Sequence, residues 1–563
     1  MSKRPLIECV PNFSEGRNIE VIDQITGEIE KVEGVKLLDV DPGKATNRTV
    51  VTFVGEPEAV VEAAFLAIKK ASELIDMSKH KGEHPRMGAT DVCPMIPVRD
   101  ISMKETAEYA AALGKRVGEE LKIPVYLYEN AATTPERRNL ATVRSGEYEG
   151  LADKLKDPKW KPDFGPAEFN AGAGATAISA RDFLIAYNVN LNTTSVRRAN
   201  SVAFDVREKG RVKREGDPIK GKILRNANGD PLREPGKCKG VKAIGWYIEE
   251  YGIAQISMNI TDTKVTPLHE AFEACRESAS NRGLRVTGSE LVGLVPKKVM
   301  IDAGKFYLTQ QKRSRGIPEL EIIHIAAKSM GLDEMYPFDP EKKIIEYQLE
   351  KPEPGPLVSK NLREFAFETA SESVAPGGGS VAAYVGALGA SLATMVANLS
   401  SHKRGWDDRW EYFSDWAEKG QQLTEELLEL VDRDTEAFNT IISAIRMPKS
   451  TDEEKEERRK AIDAATKLAI EVPFKTMELS LGVFDIAEAM IKEGNPTSVT
   501  DAGVGVLCAR AAALAAHMNV LVNCADLDDE SYVSDITSRA EKIKDIAIAR
   551  EVELTTMVLQ GLK

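Results

Sequence analysis

The sequence predicts an α+β N-terminal half followed by an all-α C-terminal half, and three observations carry this. Up to about residue 326, β-branched runs alternate with stretches of helical spacing. The strand and helix order of the first stretch recurs in the second. Beyond residue 357 strand-like runs become scarce and long helical patterns take over. At 563 residues the chain should hold three or four compact units.

In chain order, Leu6 to Val10 reads as a short strand. Asn18 to Val32 reads as a helix, with Ile19, Ile22, Ile25, Ile29 and Val32 on one face. Val35 to Val40 and Thr49 to Val54 are strands, Glu56 to Ile75 is a helix, and Val92 to Val98 a further strand. The order recurs as Phe183 to Asn190 (strand), Thr194 to Arg207 (helix), Lys242 to Ile248 and Ile253 to Met258 (strands), Pro267 to Arg282 (helix) and Leu284 to Gly288 (strand). Two successive βαββαβ units predict two ferredoxin-like subdomains, 1–180 and 181–330, and a cleft between their sheets is a natural ligand site. A linker follows at 331–357, Pro-rich at its end. Residues 358–563 should form a helical bundle, with helices over 359–372, 380–399, 407–445, 452–491, 501–524 and 529–562.

Composition excludes several function classes. A net charge of -13 argues against a dedicated nucleic-acid binder, whose surface should be basic. The six cysteines form no CxxC pair, so neither a zinc ribbon nor a disulfide scaffold is expected. The N-terminus lacks an apolar signal region, which points to the cytoplasm. The uncharged run from Ser373 to Ser401 is rich in Ala, Gly, Ser and Thr, which favours a buried helix over a membrane span. Its face of Gly386, Gly389, Ala390 and Ala393 suits close helix packing, within or between subunits.

The densest chemical segment is His80-Lys-Gly-Glu-His84-Pro-Arg86. It matches H-x-x-E-H, but Gly82 and Pro85 oppose the helix that a zinc site would need. An active-site loop with one histidine as general acid/base fits better. Asp39 and Asp41 end a strand, where carboxylates either form turns or orient a histidine. Gly172-Ala-Gly174-Ala-Thr-Ala177 formally matches a dinucleotide fingerprint but follows an irregular stretch, so a loop closely approaching a ligand is the better reading. Pro376-Gly377-Gly378-Gly379-Ser380 opens a helix whose amides suit an anion or carbonyl oxygen. Asp432-Arg-Asp434 lies within a long helical pattern, where a solvated charged face is the plain alternative. Residues 207–242 carry twelve Lys/Arg against five Asp/Glu, either as a solvated hairpin or as a docking site for an anionic tail.

Several of these segments resemble a known family. Glu8-Cys-Val-Pro-Asn-Phe-Ser-Glu-Gly16, Leu38-Asp-Val-Asp41, Thr46-Asn-Arg-Thr-Val50, His84-Pro-Arg-Met-Gly-Ala-Thr-Asp-Val-Cys-Pro94, Ala243-Ile-Gly-Trp-Tyr247 and Gly288-Ser-Glu-Leu-Val-Gly-Leu-Val-Pro296 resemble glutamate formiminotransferase. The helical half, with Ala375-Pro-Gly-Gly-Gly-Ser-Val-Ala382, is similar to formiminotetrahydrofolate cyclodeaminase. The resemblance spans about residues 4 to 563.

The resemblance implies a bifunctional, folate-dependent enzyme of histidine degradation. A formimino group passes from N-formimino-L-glutamate to N5 of tetrahydrofolate, and ring closure then gives 5,10-methenyltetrahydrofolate and ammonia. It implies His84 as transferase acid/base, Asp41 as its partner and Asp434 as the cyclodeaminase proton donor. The family's folate loop falls on Gly165 to Gly174, with Gly165, Pro166, Phe169, Asn170, Gly172 and Gly174 as candidate contacts. Gly377, Gly378 and Ser380 are candidates in the second site. Tetrahydrofolate is a co-substrate, and no metal is implied. The expected partners are small molecules, including polyglutamylated folate, with no nucleic acid and no membrane, in a homo-oligomer. The basic stretch 207–242 departs from the family pattern as an apparent insertion. Competing readings are a transferase whose helical half only dimerises, and a non-catalytic folate-binding scaffold.

Overall fold

The computed structural model describes residues 5–44, 46–82, 85–217, 220–349, 355–373 and 375–562. It divides into two compact units. The first is 1–299 with 330–349; the second is 300–329 with 350–563.

The first sheet grows from a split strand, β1 (Leu6–Cys9) and β2 (Asn12–Phe13), whose two halves pair with the same neighbours. Helix α1 (Ile19–Glu30) follows, N-capped by Asn18, which accepts from the amides of Glu20 and Val21. Then come β3 (Val35–Gly43), β4 (Arg48–Gly55), α2 (Pro57–Leu74) and β5 (Thr90–Arg99). The strand order β3-β4-β1/β2-β5 is the ferredoxin-like arrangement. Helix α3 (Met103–Glu120), with a Ser102–Glu105 capping box, leads to β6 (Val125–Glu129). One-turn helices α4 (Leu140–Val143) and α5 (Leu151–Lys154) precede β7 (Thr176–Ala180), which inserts between β5 and β6 and pairs in parallel with both.

The second sheet repeats the pattern cleanly. Strand β8 (Ile185–Leu191) and helix α6 (Val196–Val206) precede a small hairpin of β9 (Arg211–Val212) and β10 (Arg233–Glu234). Then follow β11 (Val241–Ile248), β12 (Ile253–Ile260), α7 (Leu268–Ser280) and β13 (Val286–Val292). The order β11-β12-β8-β13 is again ferredoxin-like. The basic stretch is thus an excursion between α6 and β11, with Lys213, Lys220 and Lys222 exposed on it.

Helices α8 (Lys297–Gln310) and α9 (Glu319–Met330) come next, then short α10 (Pro340–Lys343) and α11 (Ile345–Leu349). Residues 300–329, with most of α8 and α9, belong to the helical unit. There Arg315 pairs with Asp415 at 2.6 Å and Lys305 with Glu418 at 2.6 Å.

The helical unit continues with α12 (Leu362–Thr369), α13 (Gly378–Ser401), α14 (Trp410–Ile445), α15 (Asp452–Glu493), α16 (Val499–Cys524) and α17 (Glu530–Gly561). Helix α13 packs against α14, α15 and α16. It and α16 are apolar and long enough to cross a membrane, yet much of each is buried in the bundle.

The small-residue face finds its use inside this chain. Gly389 of α13 lies against Gly505 of α16, and a Cβ at 389 would sit 2.9 Å from the Gly505 carbonyl oxygen. Two backbones meet at this crossing, so no side chain can swing aside. Gly389→Leu should destabilise the helical unit by about 1–3 kcal/mol or more through overpacking. Thermal unfolding checks this: the helical transition should fall by several degrees, and an unchanged midpoint would refute the close crossing.

Candidate functional site

In the first unit, the faces of the two sheets that carry no helices enclose a cavity of about 240 Å³. Strand alternation builds its walls. On β1, Ile7 and Cys9 enter the core beneath the helices, while Glu8, and Val10 just past the strand, face the cavity. On β4, Val51 and Phe53 are core, whereas Val50 and Thr52 line the cavity. Strand β3 adds Asp41, β4 adds Arg48, and the second sheet adds Ala186, Asn259 and Val292. An adjoining space of about 390 Å³ shares Tyr128, Leu140, Arg144, Arg181, Leu184 and Asn259, so the two form one cleft.

The cleft concentrates charge away from water. Glu8 is 4% exposed, and burial pushes its pKa up to about 7, with the Arg181 guanidinium pulling the other way. Asp39, one step along β3 on the same face as Asp41, is also raised by burial. Arg48 is pushed down by burial, against the fields of Asp91 and Asp41. Asp91 has none of its surface exposed. It accepts from the Met87 amide at 2.9 Å and pairs with Arg144 at 2.7 Å.

His84 lies outside the described residues, but the chain on both sides of it is well anchored. His80 contacts the Asn47 carbonyl through Nε2 at 3.0 Å, and its Nδ1 accepts from Arg86 Nε at 3.2 Å. These contacts assign the proton to Nε2 and leave no ring nitrogen of His80 for a metal. Arg86 also grips Glu149 with both terminal nitrogens, at 2.9 and 2.7 Å. Asn47 adopts φ 48° and joins two loops, accepting from the Gly16 amide at 3.0 Å and donating to the Lys81 carbonyl at 3.0 Å. Gly82 abuts the Thr46–Asn47 backbone so closely that a Cβ would overlap it.

The 165–174 loop runs beside this segment and does not line the cleft among the described residues. Met77 donates its amide to the Gly172 carbonyl at 2.9 Å, and Gly174, at φ 67°, lies against Met87 and Gly88. Gly165, at φ 81°, packs on Gly118 and Ile123, with Pro166 following it. Asn170 closes the turn, its Oδ1 accepting from the Ala173 amide at 2.9 Å. Phe169 is exposed and tilts against Tyr148, with ring centroids 5.4 Å apart. The Gly-Ala-Gly stretch therefore precedes a strand and opens no helix, the opposite of a dinucleotide fingerprint.

The helical unit holds the other candidate acid. Asp434 on α14 faces the first turn of α13, whose N-cap is Gly377. Its Oδ2 accepts from Ser380 Oγ at 3.1 Å, and a Cβ on Gly379 would overlap the carboxylate. Gly378 sits by the Asn519 amide. Burial raises the Asp434 pKa, with the Ser380 hydroxyl and amide opposing. Asp432 is committed elsewhere: it accepts from the amides of Leu357 at 2.8 Å and Val358 at 3.1 Å.

The structure thus gathers Asp41 into a charged cleft and brings Asp434, Gly377, Gly378 and Ser380 to one helix end. It sets the 165–174 loop beside the segment that contains position 84. Sequence reasoning passed over Glu8, Asn47, Asp91, Arg144 and Arg181. Glu8 had a usable signal, a carboxylate inside the apolar run Leu6 to Val10, where alternation turns it away from its neighbours.

Comparison with known proteins agrees on both halves. A family model described as formiminotransferase domain, N-terminal subdomain, matches residues 6–181, and one described as formiminotransferase domain matches 186–350. One described as formiminotransferase-cyclodeaminase matches 361–542. The formimidoyltransferase-cyclodeaminase of Mus musculus is 44% identical over 530 residues, 94% of each chain. The glutamate formimidoyltransferase of Streptococcus pyogenes serotype M1 is 43% identical over 303 residues, 54% of this chain and 93% of that one. A methenyltetrahydrofolate cyclohydrolase of Methylorubrum extorquens is 36% identical over 177 residues, 31% of this chain and 85% of that one.

Glu8 gives a pH signature whose sign can be worked out. Its folded pKa of about 7 stands above the ordinary 4.5. Below pH 4.5 the group is neutral in both folded and unfolded states. Between 4.5 and 7 the unfolded chain ionises first, so stability drops by roughly 3 kcal/mol across that window and stays lower above it. Glu8→Gln should abolish this loss. Unfolding at pH 5 and pH 8 should show the variant gaining on wild type at the higher pH; an equal difference at both would refute the buried, raised carboxyl.

Proposed function

The chain belongs to the formimidoyltransferase-cyclodeaminase family, and we propose that it catalyses both reactions of that name. In the first, the formimino group of N-formimino-L-glutamate moves to N5 of tetrahydrofolate. In the second, N10 closes onto the transferred carbon and ammonia departs, leaving 5,10-methenyltetrahydrofolate. The reading includes a role in histidine degradation, in the cytoplasm. The observation that carries it is the pairing of two separate acid sites, one in each kind of fold.

In the transferase half, N5 attacks the amidine carbon and its proton passes to His84. The bond from that carbon to the glutamate nitrogen then breaks, and His84 returns the proton to the leaving amine. Asp41 orients the histidine and stabilises its charged form, as a carboxylate does in acid/base pairs generally. The 165–174 loop, beside the same segment, receives the folate.

In the helical half, ammonia leaves readily only once protonated. Asp434 fits that task because burial keeps its carboxyl protonated to higher pH than an exposed aspartate. The amides and Ser380 at the start of α13 hold the carboxylate left after proton transfer.

The chain acts as a homo-oligomer. Val504, Leu507, Met518, Leu521 and Val522 of α16, with Leu388, Met395 and Leu399 of α13, expose more apolar surface than an isolated bundle needs. Sedimentation of the purified protein tests this. The exposed lysines of the 207–242 excursion supply a surface for the anionic tail of polyglutamylated folate.

Two substitutions separate the reactions. His84→Ala should cut formimino transfer by about two orders of magnitude or more while sparing ammonia release from supplied 5-formiminotetrahydrofolate. Loss of both activities in a folded protein would overturn the two-site reading. Asp434→Asn should do the reverse and accumulate 5-formiminotetrahydrofolate. Ser380→Ala removes a bond that lowers the Asp434 pKa, so the alkaline limb of ammonia release should move to higher pH. A limb that moves down or stays fixed would place the acid elsewhere.

A further inference from the structure

Among the described residues the Arg181 guanidinium lines the cleft of the first unit without an ion pair, within reach of the fields of Glu8 and Glu129. Arg181 follows the last residue of β7, and its amide bonds the Met95 carbonyl at 3.0 Å, which fixes its backbone at the end of the first sheet. Its side chain lines both parts of the cleft. Among the described residues its guanidinium makes one hydrogen bond, from Nη1 to the backbone oxygen of Asp182 at 2.9 Å, and no ion pair. The other cations differ. Arg144 is paired with Asp91, Arg48 is buried within the fields of Asp91 and Asp41, and Lys242 is exposed at the outer space. Arg181 therefore keeps several N–H donors in their fixed fork within a space largely withdrawn from water.

Charge is laid out across this cavity in a way that suits one kind of molecule. Glu8 and Asp41 stand on the first sheet, and Arg181 stands at its end, close enough for its field to act on Glu8. A formimino amino acid carries an amidinium and two carboxylates. Its amidinium complements Glu8 and Asp41, and a carboxylate complements the guanidinium.

We propose that Arg181 is the anchor for a carboxylate of the formimino donor, held by paired N–H bonds, and that it thereby sets the preference for an amino-acid donor over a bare amidine. This rests on the transferase reading above. The same glutamyl carboxylate chemistry exists in the tail of folate. Arg181 lines both the inner cavity of about 240 Å³ and the adjoining space of about 390 Å³, so the KM values of the two substrates, read separately, distinguish the donor's carboxylate from the folate tail.

The test uses the full chain with Arg181→Gln and Arg181→Lys. Arg181→Gln should raise the KM for formiminoglutamate at least tenfold, leave the KM for tetrahydrofolate within twofold, and change kcat by less than the KM. Arg181→Lys should recover part of the loss, because the charge returns without the fork. Isothermal titration with L-glutamate, the amino-acid product, gives a readout independent of turnover. Wild type should bind it, and Arg181→Gln should weaken binding at least tenfold at an unchanged melting temperature. Equal glutamate affinity in wild type and Arg181→Gln would overturn the proposal, as would a rise in the tetrahydrofolate KM in place of the donor KM. If wild type binds glutamate through Arg181 yet transfers no formimino group, the anchor stands and the transferase reading fails.

Discussion

A carboxylate with no exposed surface, Asp91, is the constraint on which the first site depends. Taking such a group out of water costs several kcal/mol, and the cost is offset only where partners are already in place. Asp91 has two: the Met87 amide and the Arg144 guanidinium. The first bond fixes the backbone just beyond position 84. The second fixes a cation in the wall of the cleft. One buried charge thereby ties the chain at Met87 to the wall of the cleft. Removing the Arg144 guanidinium would break the buried pair, a loss on the order of 3–5 kcal/mol.

The rest of the site follows from how a helix-covered sheet divides its side chains. Each sheet buries one face under helices, and period-two alternation sends the intervening residues to the other face. In an isolated sheet that face would meet water and its carboxylates would be ordinary. Here the two open faces confront each other, so Glu8 loses solvent and shifts upward. The reactive character of the cleft comes from duplicating a fold and closing one copy on the other, more than from any single motif. The polar residues Asn188, Asn190 and Gln255 on the second sheet obey the same rule, bonding one another and Glu290 because water cannot serve them.

Much of this was legible in the sequence. The twelve strands and helices read in the two βαββαβ repeats all form, with ends shifted by a few residues, and six long helical patterns mark the bundle. Helix α3 and strands β6 and β7 were missed. Thr176-Ala-Ile-Ser-Ala180 is five small residues behind a glycine-rich loop, and only its insertion between two parallel strands makes it a strand. Helices α8 and α9 were overlooked because they adjoin the second repeat in sequence, although residues 300–329 pack with the bundle. Asp41 and Asp434 are named by the motifs of the family resemblance. Arg144 and Arg181 are not, because an arginine in a loop carries no signal until the fold shows whether its charge is already matched.

Asp432 and Asp434 show what the structure adds to a pair that the sequence sets side by side. They share a helix, a charged neighbourhood and nearly the same number, so composition cannot rank them. Two residues along an α-helix turn the side chain through about 200°, and the two carboxylates consequently meet opposite surroundings. Asp432 is also buried, but two backbone amides occupy its oxygens and tie residues 357 and 358 to α14. A carboxylate so placed serves the backbone, bracing the start of the helical segment against α14. Asp434 meets one hydroxyl and the opening turn of α13, where Gly379 leaves just enough room for it. Burial outweighs those bonds and raises its pKa. Spacing on a helix ties one aspartate to the backbone and turns the other to the start of α13, where the glycine run makes room for it.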